Sequence, residues 1–347
     1  MRAAVAGLAA VGVLLAGCSA AANAPQGSGG SGRPTAFVAG HGVLRLGFVP
    51  GVLDAPALVG LRTGVFAGNL GRVSLEPVPF TSVKAETAAL EGGQLDAAYL
   101  DPVAAVMAWQ VSRRRPVEVV AGAASGGAEL VVRKTVTTVR QLADARLAAP
   151  AGGAQEAALD FWLRQHGLPA LTGAEVPVMP DEALVRDFRA GGIGGGWEPA
   201  PADAELAAAG GRVLVNEAGL WPGGRFSTVV LVVTRRLLAG DLGAVYGLLK
   251  GQLQADDFIA AHRTPAEAAV EQELTARLGA GLAPGVLGAS FAQLAFSGDP
   301  VAGSVLAEAR HAAAAGLIKP VTSLAGLFDL GPLNRVLRAA GRPPVSS

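Results

Sequence analysis

Residues 44–61 read Leu44-Arg45-Leu46-Gly47-Phe48-Val49-Pro50-Gly51-Val52-Leu53-Asp54-Ala55-Pro56-Ala57-Leu58-Val59-Gly60-Leu61, and this stretch sets the repeating unit of the chain. Leu44 to Val49 is a short apolar run, of strand rather than helix length. Pro50-Gly51 closes it with residues suited to a tight turn. Asp54 stands where a helix wants its N-cap, and Pro56 lies in the first turn, where a missing N–H removes no bond. The helix is expected to run through Arg62.

The unit recurs in both directions from there. Val73–Val78 reads as a second strand, and Val83–Glu91 as a helix ended by Gly92-Gly93. Asp96–Leu100 is a third strand, with Asp101-Pro102 starting a helix through Trp109. Val117–Ala121 and Glu129–Val132 follow as strands, and the pattern then restarts. Arg146–Ala149 reads as strand, Ala154–His166 as a helix stopped by Gly167, Val176–Met179 as strand and Asp181–Ala190 as helix. Arg212–Asn216 and Ser227–Thr234 close the strands, and the chain from Arg235 is mostly helical. Strands alternating with helices of this length imply parallel sheets and an α/β fold. Two successive βαβ sets of similar size suggest two lobes, and the pattern leaves strand order and the lobe boundary open.

The N-terminal segment has a different character. Arg2 precedes an unbroken run of apolar and small residues from Ala3 to Gly17, shorter than the roughly 20 residues of a membrane span, so it reads as a signal peptide over residues 1–17. Cys18, the chain's single cysteine, follows Leu15-Ala16-Gly17. Small residues before a lone Cys resemble the lipobox of bacterial lipoproteins, in which the Cys carries the lipid. The alternative is an ordinary signal peptide with an incidental Cys. Residues 18–42 are expected to form a tether, since Ser19–Arg33 is rich in Gly and Ser. A flexible coil of about 15 residues spans about 20–25 Å.

Charge balances at net +0, with 28 basic and 28 acidic residues, which gives no field for recruiting nucleic acid. The hydrophobic share of 51% and the mean hydropathy of +0.41 are inflated by Ala and Gly. No later run reaches spanning length without charges or Gly/Pro breaks. With one Cys no intramolecular disulfide is possible, so the fold rests on its apolar core.

Catalytic motifs are absent from the sequence. His41, His166, His262 and His311 are scattered without metal-ligand spacing, and no G-x-S-x-G or Walker A occurs. The run Gly191-Gly192-Ile193-Gly194-Gly195-Gly196 lacks the dinucleotide spacing. Lys84 is placed on an outer helix face. The expectation is a binder with no cofactor and no metal, and not an enzyme.

Several segments in order resemble the solute-binding proteins of ABC importers in the aliphatic sulfonate, nitrate, taurine and thiamine-precursor superfamily. They are Leu44–Leu61, Leu90–Ala104, Ala149–Trp162, Trp197-Glu198-Pro199 and Trp221–Phe226. The likeness runs from Val43 to about Leu337. It implies a two-lobed type II periplasmic-binding-protein fold, each lobe a mostly parallel sheet flanked by helices, joined by two hinge strands. Those crossings are expected at Glu129–Val132 and Thr228–Val233. Lobe 1 is then residues 43–129 with the return strand and C-terminal helical part 228–347, and lobe 2 is 130–227. The resemblance further implies a monomer outside the cytoplasmic membrane, held by lipid on Cys18, that delivers a small-molecule ligand to a permease and its ATPase.

In such a fold, helix N-termini at the carboxyl ends of strands present free N–H groups, a setting suited to an oxyanion. The candidate starts are Pro50–Asp54, Leu100-Asp101-Pro102-Val103, Gly152-Gly153 through Gln155, and Trp197-Glu198-Pro199. Gly152-Gly153 permits close backbone approach, Trp197 offers an apolar wall and Arg225 a forked counter-charge. Each has a plainer role: Asp54 and Asp101 as N-caps, Trp197 in inter-lobe packing, Arg225 as a surface charge and Gly152-Gly153 as a turn. The first expectation is a sulfonate-like organic anion. Asp54 in the first loop, and Ala200-Pro201-Ala202 where the family carries Glu-Pro-aromatic, keep a cationic or heterocyclic precursor as the alternative. An enzyme on the same fold and a sensor input domain are the contrasting classes.

Overall fold

The computed structural model of the protein describes residues 42–111, 116–168 and 181–347. Cys18, the segment 1–41 and the expected strand Val176–Met179 lie outside them. In chain order come β1 (Val43–Phe48), α1 (Ala55–Thr63), α2 (Val65–Leu70), β2 (Ser74–Pro79), α3 (Val83–Glu91), β3 (Ala97–Leu100), α4 (Pro102–Gln110), β4 (Val117–Gly126) and β5 (Ala128–Arg133). Next are β6 (Leu147–Ala148), α5 (Ala154–Gln165), α6 (Asp181–Ala190), β7 (Gly195–Pro199), α7 (Ala202–Ala208), β8 (Gly211–Asn216) and β9 (Ser227–Thr234). The chain ends with α8 (Arg235–Gly240), α9 (Leu242–Ala261), α10 (Arg263–Leu278), α11 (Val286–Gln293), β10 (Leu294–Phe296), α12 (Ala302–Ala314) and α13 (Gly331–Ala339).

Two sheets result, one in the order β10-β4-β9-β3-β1-β2 and one in the order β6-β7-β5-β8. β1 pairs parallel with β2 and β3, while β9 inserts between β3 and β4 antiparallel to both. β1 to β4 therefore share one direction, as helix-linked strands must, and β9 arrives from the other sheet against them. The second sheet repeats this logic. β6 and β7 are parallel, and β5, which enters from the first sheet, is antiparallel to β7 and β8.

Position in the sheet follows composition. Ser227–Thr234, an apolar run buried at all eight residues, takes a central place, as strands covered on both faces do. β2, with Pro77 and Pro79, pairs only with β1 at an edge, where a missing N–H is tolerated. Both faces of the first sheet are packed: Leu46, Phe48, Tyr99, Leu231 and Leu248 on one, Leu100, Val106, Val230 and Val305 on the other. The second sheet has its own clusters around Leu130, Leu159 and Trp197, and around Val131, Phe188 and Leu206.

Two expectations change on local grounds. Trp197-Glu198-Pro199 is not a helix start but the body of β7, with Trp197 opposite Leu130 and fully buried. The preceding glycines bring β7 close to its neighbours: a Cβ on Gly194 would lie 2.8 Å from that of Ala145. Asp54 sits at the N-cap position of α1 but makes no side-chain cap. Its Oδ2 instead accepts from the Val49 N–H at 2.8 Å, tying the turn back to β1.

The chain passes between sheets at Gly126-Gly127, where β4 becomes β5, and again along residues 217–226 between β8 and β9. Both passages fall just before the strands expected to cross. Gly126 has φ +80°, and a Cβ there would lie 2.6 Å from the Gln293 carbonyl oxygen. Gly64 has φ +75° with nothing within 4 Å. Gly126→Ala is expected to lower unfolding free energy by about 2 kcal/mol or more, and Gly64→Ala only by the roughly 1 kcal/mol of the left-handed backbone. Equal losses in urea denaturation would show that the carbonyl contact does not restrict this passage.

Candidate functional site

The site forms where the carboxyl end of β3 meets the start of α5. Asp101 caps α4 as expected, its Oδ1 accepting from the Val103 and Ala104 N–H groups at 2.8 and 3.1 Å. Its Oδ2 accepts from the Ala154 N–H of α5 at 3.2 Å. One carboxylate thus bridges helix starts that belong to different sheets. On the same turn Gly152, with φ +77°, donates its N–H to Glu156 Oε2 at 2.5 Å. Asp101 and Glu156 together place protein carboxylates where an anion would sit. Val103, Ala154, Ala157 and Ala312 form one buried cluster behind the bridge, so α5 is packed against α4 and α12.

The remaining expected residues are distributed around this contact. Leu100, Pro102 and Gln155 are buried at the strand end and in the first helical turns, while Pro50 and Gly153 are half-buried. Glu198 is buried and stands opposite Glu129 in the β5–β7 register. Arg225 is 54% exposed and paired with Asp299 at 2.7 Å. Among these residues, Asp101, Gly152 and Gly153 meet at one place.

Two acids that the sequence reading did not single out complete the site. Glu217 follows β8 and accepts from two indoles, Trp197 Nε1 at 2.6 Å and Trp221 Nε1 at 3.2 Å. Glu308 on α12 is 3% exposed, and neither of its carboxylate oxygens has a hydrogen-bond partner. Beside it the Ser227 N–H bonds Ser304 Oγ and that hydroxyl the Val301 carbonyl, while the buried Ser227 hydroxyl has no partner of its own. Trp221 stacks on Phe226 with ring centroids 5.8 Å apart and lies 6.2 Å from His311, which stacks on Phe161 of α5 at 3.7 Å. The signal for Glu308 was its spacing, four residues from Ser304 and from Ala312 on a face of small buried residues.

Burial dominates the electrostatics. It pushes Glu217 up to about 7 against the two indole bonds, with Asp101 adding repulsion. Glu308 is raised well above the carboxylate range by burial and by Glu217 and Asp101. Asp101 rises by burial, opposed by its three backbone donors. Burial lowers His311. Other buried acids lie away from the bridge. Burial pushes Asp54 up to about 8, Glu86 is raised by burial and by Asp54, Asp256 is raised by burial beside Gln252, and Asp203 on α7 reaches about 7.

The carboxyl shifts have one sign. A carboxyl whose folded value is raised contributes stability that is fully present below its unfolded value and is lost as pH rises through the folded one. The ligand-free protein is therefore expected to melt at its highest temperature near about pH 5, and lower at about pH 8. Calorimetric melts across that window check it, and a melting temperature that rises with pH would mean that these acids are ionised and paired.

Among the described residues no group of His, Cys, Asp and Glu side chains is placed to hold a metal ion, and no helix is long and apolar enough to cross a membrane. The fold is that of extracytoplasmic binding proteins. The alkanesulfonate-binding protein SsuA of Xanthomonas axonopodis pv. citri, solved with MOPS, superposes with a TM-score of 0.66 at 18% identity, over 83% of this chain and 98% of that one. The periplasmic nitrate-binding protein NrtA of Synechocystis PCC 6803 gives 0.70 at 13% identity, over 87% and 89%. A ligand-binding component of an ABC-type import system from Staphylococcus aureus, solved with zinc, gives 0.69 at 16%, over 85% and 99%. Residues 40–272 match the NMT1-like family, and the chain belongs to it. No curated protein matches it in sequence.

Proposed function

We propose that this protein is the extracytoplasmic solute-binding component of an ABC importer. In this reading residues 43–129 with 228–347 form one lobe and 130–227 the other, and they close over a small organic solute that is handed to a permease and its ATPase. The observation that carries it is the convergence of α4 and α5, from different sheets, on Asp101. A ligand reached from both sides favours the closed arrangement by its contacts to both. Lipid on Cys18, behind a tether of residues 18–42, keeps the monomer near its permease. Arg225, the counter-charge expected for a sulfonate, is engaged with Asp299, so the solute is not held by that guanidinium.

Protein stripped of co-purifying solute by unfolding and refolding is expected to have a larger radius of gyration in small-angle scattering than protein that retains it. Equal radii would count against lobe closure.

Anchoring has a separate test. Cys18→Ala should abolish metabolic lipid labelling and move the protein from the membrane fraction to the medium, with its melting temperature unchanged. A variant that stays membrane-bound to the same extent would remove the lipid from the account.

A further inference from the structure

We infer that this site takes an organic cation with N–H donors on a flat apolar body, of amidinium or guanidinium type, whose charged end sits among Asp101, Glu217 and Glu308. The inference rests on the binding-protein reading and specifies its ligand. Three acids come from three separate parts of the fold: the β3–α4 turn, the segment after β8, and α12. Each is raised by burial, and Glu308 also by the other two acids. Among the described residues no ion pair reaches any of the three, and Arg225 is paired with Asp299.

Glu308 is the telling group. A buried carboxylate with no donor on either oxygen is costly, and native structures satisfy such groups with a partner. The Ser227 N–H and the Ser304 hydroxyl beside it lower its charge cost only in part, being bonded to Ser304 and Val301. Glu217 has one indole on each oxygen and keeps acceptor capacity on both. An amidinium brings a charge and paired N–H groups in one plane, which suits carboxylate oxygens.

An anion meets the opposite. The helix starts that would receive it are bonded by Asp101 and Glu156. A bare metal ion is also disfavoured, because the acids are not grouped closely enough to chelate one. Trp221, stacked on Phe226, supplies a flat apolar wall whose indole N–H bonds Glu217, and an aromatic face attracts a cation.

Binding should also release protons. Glu217 and Glu308 hold their protons more firmly than exposed acids do, and an arriving cation favours their ionised forms. Further titratable groups on the elements that carry or pack against them are Glu156 and Asp160 of α5, Glu198 of β7 and His311 of α12. Glu156 is bonded to Gly152 and Asp160 is paired with Arg164. Burial keeps His311 neutral, so it does not offset the acids. Affinity for a cation then rises with pH through about 7, where Glu217 titrates.

The probes are benzamidine, its neutral analogue benzamide and benzenesulfonate, titrated into purified protein by calorimetry and followed by thermal shift. Benzamidine is expected to bind, to release protons in buffers of differing ionisation enthalpy, and to bind more tightly at about pH 8 than at about pH 6. Glu217→Gln and Glu308→Gln should each weaken it by about 30-fold or more, the lower end for losing one partner of a buried charge pair. Glu118→Gln, which removes a carboxylate paired with Arg235, should leave it unchanged. Failure of benzamidine to bind, binding without proton release, or binding indifferent to both glutamine variants overturns the cation site. So does benzenesulfonate binding that Arg225→Ala abolishes. If benzamide or benzenesulfonate shrinks the radius of gyration while benzamidine does nothing, the cation is excluded and lobe closure stands. If benzamidine binds with the radius unchanged, the cation site stands and closure fails.

Discussion

The contact on which the rest of the molecule turns is the Asp101 carboxylate. One oxygen satisfies two N–H groups at the start of α4, and the other reaches the first N–H of α5. Free N–H groups at helix starts carry a partial positive charge and need acceptors. Two such starts facing each other across a gap repel mildly and attract any anion. A carboxylate between them removes the repulsion and holds α5 against α4 and α12. The small side chains behind it, Val103, Ala154, Ala157 and Ala312, permit the helices to approach closely enough for a side chain as short as Asp to span the gap.

Once that anion is built in, the electrostatics of the neighbourhood follow. Asp101 repels Glu217 and Glu308 in a setting that excludes water, so these acids hold their protons more firmly than exposed acids do. The two indoles that bond Glu217 come from β7 and from the segment leading to β9. A carboxylate therefore also joins the second sheet to the passage that leaves it. Such groups stabilise little by themselves, since burial offsets the gain from their hydrogen bonds. They set the charge that a guest must carry.

Much of the fold was legible in the sequence because it rests on local signals. Leu44–Phe48 and Ser227–Thr234 are strands by apolar run, and Asp101-Pro102 starts a helix by cap and proline, as found. What failed depended on tertiary context. Asp54 has the sequence of a cap, yet its carboxyl bonds Val49, because the turn at Pro50-Gly51 folds the helix start back over the strand end. Trp197 follows a glycine run, and the Val131 carbonyl oxygen, which a Cβ on Gly195 would strike, explains glycine in that strand. Glu217 and Glu308 look solvated in a linear chain, and what buries them is the meeting of β8, β9 and α12 around Trp221. The acids of the site were thus hidden while the fold that brings them together was not.

Fold and ligand charge separate for the same reason. Any chain of this architecture presents helix starts at the ends of its strands, so a partial positive charge is a property of the fold. The alkanesulfonate- and nitrate-binding proteins that share it carry anions in their names, and that says nothing about a chain whose own side chain occupies the position. The acceptors of Asp101 are taken up by three N–H groups at two helix starts. Glu217 and Glu308 lie beyond that match, and each ionised carboxyl among them leaves a charge that the surrounding protein does not balance. The sign of the proposed guest therefore follows from counting acceptors against donors around Asp101, Glu217 and Glu308, and Glu308 holds the acceptors that the protein leaves open.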